Sequence, residues 1–93
     1  MELSEKRVCA SPHVLVRAME SESVLLNLDR ESYFGLDEVG TRMWNVLIES
    51  ASVNDAFRVL EAEYEIEGGA LWADLQRFVG ELADAGLVEV HDR

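Results

Sequence analysis

Cysteine is nearly absent. Cys9 stands alone, so no internal disulfide can form, and without a CxxC pair or a Cys/His set there is no pattern for structural zinc. It reads as a small apolar residue near a strand rather than a reactive thiol. Long apolar runs are missing too: none exceeds four residues, against the roughly 20 needed to cross a bilayer. The opening Met1–Arg7 lacks a signal-type apolar stretch, so a cytoplasmic location and no membrane partner are expected. Basic residues are scarce, with 8 Lys and Arg against 19 Asp and Glu and a formal net charge of −11. Such a field repels phosphate backbones, so nucleic acid is not an expected partner.

The residue types that carry catalysis are equally thin. The two histidines, His13 and His91, fall in a leading loop and an end expected to fray. There is no nucleophile elbow, HExxH helix or phosphate-cradling glycine loop. No enzymatic activity and no cofactor are expected. Glu61, Glu63, Glu65 and Glu67 crowd one segment but lack the spacing of a calcium loop, so they are read as a solvated face and no metal is expected.

What is present is the apolar content of a folded chain: 48% of 93 residues are hydrophobic. That length suits one domain over residues 1–93, ordered from about residue 8 to 90. Val14-Leu15-Val16 and Val24-Leu25-Leu26 are β-rich runs separated by the polar Glu20-Ser21-Glu22-Ser23, the pattern of an antiparallel hairpin. Asp29-Arg30-Glu31 then leads into Ser32-Tyr33-Phe34-Gly35-Leu36, a third strand at the edge of a small meander.

From Asp37 the period changes. Val39, Met43, Trp44, Leu47 and Ile48 recur at helical steps, with Asp37 as N-cap and Trp44 as a core anchor. Ser52 caps a second helix, with Val53, Ala56, Phe57, Leu60 and Tyr64 on one face. Gly68-Gly69 precedes a third helix from about Ala70 to Ala85, striped by Leu71, Leu75, Phe78 and Leu82 and stopped by Gly86. Trp72, Val79 and Ala83 widen that stripe on one flank, while Asp74 and Glu81 border the other. The terminal Leu87-Val88-Glu89-Val90 is expected to pack back or add a brief strand. The expected fold class is α+β and winged-helix-like, with a three-stranded antiparallel sheet followed by three helices.

A winged-helix layout admits a DNA-binding regulator as an alternative, yet the third helix offers only Arg77 as a base against Asp74, Glu81 and Asp84. The strand Tyr33–Leu36 points elsewhere. An edge strand beside an apolar helix makes a groove in which an extended peptide gains main-chain hydrogen bonds while its side chains fill pockets. The residues alone supply the parts and leave open whether they adjoin.

The segment Leu28-Asp29-Arg30-Glu31-Ser32-Tyr33-Phe34-Gly35-Leu36-Asp37-Glu38-Val39-Gly40-Thr41-Arg42-Met43-Trp44 resembles the hallmark of PqqD-like proteins, also called RiPP recognition elements. The likeness continues through Leu71–Phe78 and Leu82 to Ala85-Gly86-Leu87-Val88. Within the family, the Tyr33–Asp37 version is most similar to the leader-binding subunit of split lasso-peptide systems. The resemblance implies a precursor's leader peptide as partner, added as an antiparallel strand to the third strand and lying against the third helix. It also implies a separate leader peptidase. A related possibility is a peptide carrier for another modified peptide, such as the quinone-cofactor precursor. The residues matching the docking edge are Tyr33, Phe34, Gly35 and Leu36; those matching the helix wall are Leu71, Asp74, Leu75 and Phe78.

Overall fold

The computed structural model describes residues 3–64 and 68–92. A single 3-10 turn, Leu3–Glu5, opens into strand β1 (Lys6–Ala10), followed by β2 (Val14–Met19), β3 (Glu22–Asn27) and β4 (Ser32–Leu36). Helices α1 (Glu38–Glu49), α2 (Val53–Glu63) and α3 (Gly68–Asp84) come next, followed by β5 (Val88–Asp92). The architecture is α+β, with β2-β3-β4 as an antiparallel meander and β1-β5 as a separate antiparallel pair.

The two-stranded pair differs from the sequence expectation at both ends. Lys6–Ala10, to which no strand is assigned from the sequence, is one, and His91 lies within β5 opposite Arg7 rather than in a frayed end. Lys6 and Asp92 bond side chain to side chain across the last pair. Local pattern gives little warning of β1, because Val8 is its one buried residue and its partner is the far end of the chain. Of the two outcomes expected for Leu87–Val90, packing back or a brief strand, the strand forms, as β5.

In the meander, alternation does the sorting. Ser23, Leu25 and Asn27 of β3 face inward and are buried, while Val24 and Leu26 face out and are half-buried. The inward polar groups are satisfied: Ser23 Oγ lies 2.8 Å from Thr41 Oγ1. Asn27 Nδ2 donates to the carbonyls of Ala85 and Gly86, and its Oδ1 accepts from the amides of Asp29 and Arg30. Strand β2 leans on β3 alone as a projecting wing, exposed from Leu15 to Met19.

The helices start and stop where their caps dictate. Asp37 Oδ1 accepts from the Gly40 amide at 2.8 Å, and Ser52 Oγ from the Asp55 amide at 3.1 Å, each satisfying a first-turn donor that has no helical partner. α3 begins at Gly68, two residues before the expected start, so both glycines belong to its first turn. It ends in a Schellman motif, with Leu87 N–H donating to Leu82 O, Gly86 N–H to Ala83 O, and Gly86 at φ +72°. Trp44, Leu47, Leu60, Leu71, Leu75 and Leu82 meet in the core beneath Leu25. Val46, off the expected stripe of α1, is buried there as well.

Candidate functional site

Strand β4 pairs with β3 along one side only, and among the described residues no strand pairs with its other side. Its backbone groups along that side are therefore a template for a further strand. Phe34 and Leu36 turn toward the core face, opposite Leu25 and Ser23 of β3, while Tyr33 and Gly35 turn outward opposite Leu26 and Val24. Leu36 is buried, Phe34 half-buried, and Tyr33 is 78% exposed.

Beside this edge lies a cleft of about 430 Å³. Phe34, Gly35 and Leu36 form one wall, Asp74, Arg77, Phe78 and Glu81 of α3 form the other, and Asp37, Val39, Gly40 and Met43 at the start of α1 close the floor. α1 follows β4 after a single residue, Asp37, which brings its first turns under the groove and puts Val39 and Met43 in the floor. Val39, 46% exposed, shows its side chain here rather than to the core. At the end of the groove nearest the β3–β4 turn, Arg30 Nη1 donates to the Asp84 carbonyl and Asn27 grips the two carbonyls beyond it. That clasp ties the start of one wall to the end of the other.

The rim is acidic. Arg77, the base in the cleft lining, donates to Asp74 Oδ1 at 2.9 Å and has its Nε 4.0 Å from Glu81 Oε1. Asp37 commits one oxygen to its cap. Asp74 and Glu81 flank one guanidinium that is already engaged, Asp37 adds a third carboxylate to the lining, and the cleft favours cationic groups in an occupant. Among the described residues no group of three or more His, Cys, Asp or Glu side chains is placed to hold a metal. His13 sits beside Asp29 and His91 beside Glu89, both exposed and neither lining the cleft.

Of the residues singled out from the sequence, Phe34, Gly35, Leu36, Asp74 and Phe78 come together around this cleft. Tyr33 lies on the same strand but presents its ring to the outer face of the sheet. Leu71 and Leu75 do not reach the groove: both are fully enclosed in the core, so they support α3 from behind rather than forming its exposed wall. Arg77 and Glu81 were missed as lining residues, although each falls one helical turn from Asp74 or Phe78 and the 3.6-residue period could have found them. Val39, Gly40 and Met43 carried no such signal, because only the packing of α1 under β4 makes them a floor.

An antiparallel meander with an open edge, backed by a helix across a cleft of mixed apolar and acidic lining, defines a peptide-docking class of small α+β domain. The chain belongs to the PqqD family, whose model, described as coenzyme PQQ synthesis protein D, matches residues 22–88. Two solved structures share the fold over nearly the whole chain. One, described as TbiB1 in complex with the TbiA(beta) leader peptide, is 34% identical with a TM-score of 0.82, covering 87% of this chain and 94% of its own. The other, described as lasso peptide synthetase B1 complexed with the leader peptide, is 25% identical with a TM-score of 0.77, covering 91% and 98%. No curated protein matches the chain at a significant level. Among the described residues no helix is long and apolar enough to cross a membrane.

Proposed function

We propose that this chain is a non-catalytic carrier for the leader of a ribosomally made precursor peptide in lasso-peptide biosynthesis. The leader adds as an antiparallel strand to β4 and lies against α3. The attached core peptide is thereby held at high effective concentration for a separate leader peptidase, and no bond is made or broken by the carrier itself.

The observation that carries this reading is the adjacency of the open β4 edge to the acid-rimmed cleft walled by α3, with Phe34, Val39 and Phe78 in its lining. The two structurally similar proteins, each described in complex with a leader peptide, support it. The family's name keeps a carrier role toward a quinone-cofactor precursor as a second reading with the same binding mode. Titration of fluorescently labelled leaders from precursors encoded beside the gene tests both. Saturable binding to a lasso precursor's leader is expected. Failure to bind any such leader would sink the proposal, and selective binding of a quinone-cofactor precursor would replace the first reading with the second.

A further inference from the structure

Gly35 lies within the open edge strand, fourth of its five residues, where glycine is an unfavourable choice: it has no side chain to pack and loses the most backbone freedom on ordering. Nothing within the chain requires it. A Cβ built at Gly35 meets no atom within 4 Å. Nor does the residue adopt the left-handed backbone that selects glycine, which among the described glycines belongs to Gly86. The space that a side chain at position 35 would fill is open, and it lies on the outer face of the sheet beside the unpaired edge.

Its nearest neighbours on the outer face are apolar, with Arg17 of β2 beyond Val24 in the same cross-strand row. Gly35 pairs with Val24 of β3, and the next outward residue of β4, Tyr33, pairs with Leu26, which in turn pairs with Leu15 of β2. A bare backbone position is therefore bounded by Tyr33 along the strand and Val24 across it. When a strand is laid against such an edge, a side chain directly opposite the glycine lies about 5 Å away. A large side chain there can fold across the exposed backbone, which is how aromatic residues cover glycines in edge strands.

We infer that the notch over Gly35, bounded by Tyr33 and Val24, is a second side-chain subsite that takes an aromatic or large branched apolar residue of the bound leader on the outer face of the sheet. This rests on the leader-binding reading and deepens it. Alternate residues of the added strand point into the Phe34–Phe78 cleft, and those between them point outward, so the peptide is read from both faces. An alanine at position 35 places its methyl group in the seat of the outward residue without disturbing the unbound fold.

The experiment uses the whole chain and a fluorescein-labelled synthetic leader of a precursor encoded beside its gene, with an alanine scan of that leader. Gly35→Ala is expected to melt at or above the wild-type temperature and to bind the leader roughly tenfold or more weakly, the scale of losing one large apolar contact. One aromatic or large branched leader residue should lose most of its contribution on Gly35→Ala, visible as coupling in a double-mutant cycle. Gly80→Ala, at an exposed α3 position where a Cβ also meets nothing within 4 Å and which does not line the cleft, should bind as the wild type does. Equal binding by Gly35→Ala, or weaker binding with no leader position coupled to it, overturns the notch while leaving leader binding intact. A wild-type chain that binds no leader overturns the reading beneath it.

Discussion

Gly86 and Gly80 answer substitution in opposite directions. Gly86 holds φ +72°, and a Cβ there would come within 2.9 Å of Asn27 Nδ2 and 3.0 Å of Arg30 Cζ. Gly86→Ala therefore combines left-handed backbone strain with disruption of the clasp at the end of α3. It should lower stability by about 1–3 kcal/mol, read as a reduced urea midpoint. Gly80, in the solvent-facing interior of α3, meets neither constraint. Gly80→Ala should raise stability by about 1 kcal/mol through helix propensity and the lost freedom of the unfolded chain. A fall in its urea midpoint would contradict the open environment of that position.

At the scale of the element, α3 works on two sides. Its inner side buries Leu71, Leu75, Val79 and Leu82, and its outer flank shows Asp74, Arg77 and Phe78 to the cleft. Leu75→Ala should cost about 2–5 kcal/mol of stability, because it empties a filled core position. Phe78, half-buried, has less to lose on folding and more on binding. Phe78→Ala should weaken leader binding in a protein that still melts cooperatively, and unchanged affinity would remove Phe78 from the site. The cap that positions α1 beneath the groove is a third handle: Asp37→Ala should cost about 1 kcal/mol by leaving the Gly40 amide without its partner. The three helices, their caps and the Gly86 stop were legible because each rests on local spacing. The division of α3 between core and cleft was not, since an apolar stripe does not say which neighbour covers which part of it.

The whole molecule is strongly anionic, at −11, and Lys6, Arg42 and Arg77 among its few bases are drawn into ion pairs. Arg42 on α1 holds Glu63 at the end of α2 in a two-pronged hydrogen-bonded pair, with Nε donating to Oε2 at 2.9 Å. Hydrogen bonding from Arg42 keeps the Glu63 carboxyl below its ordinary value of 4.5, and bonding from Lys6 does the same for Asp92 relative to 3.8. A carboxyl depressed in the folded state holds fewer protons there than in the unfolded chain. Its contribution to stability is full above the ordinary value and is lost as pH falls through the depressed one. The urea midpoint should therefore drop between pH 6 and pH 3.5, and Glu63→Gln should shrink that drop; an equal drop in the variant would deny the pair its part. Both pairs are exposed, so the effect is small.

Local chemistry in the sequence determined most of the elements: alternation placed the meander, caps and period placed the helices, and scarce bases and histidines turned the reading away from nucleic acid and catalysis. Tertiary structure decided what lies beside what. It paired Lys6–Ala10 with Val88–Asp92, a contact between chain ends that no local pattern encodes. It sent Leu71 and Leu75 into the core, and it set α1 under the groove so that Val39 and Met43 became its floor. Periodicity specifies which face of an element is apolar, because it depends only on backbone geometry. Which neighbour that face meets depends on the packing of the whole chain, and the cleft exists only at that level.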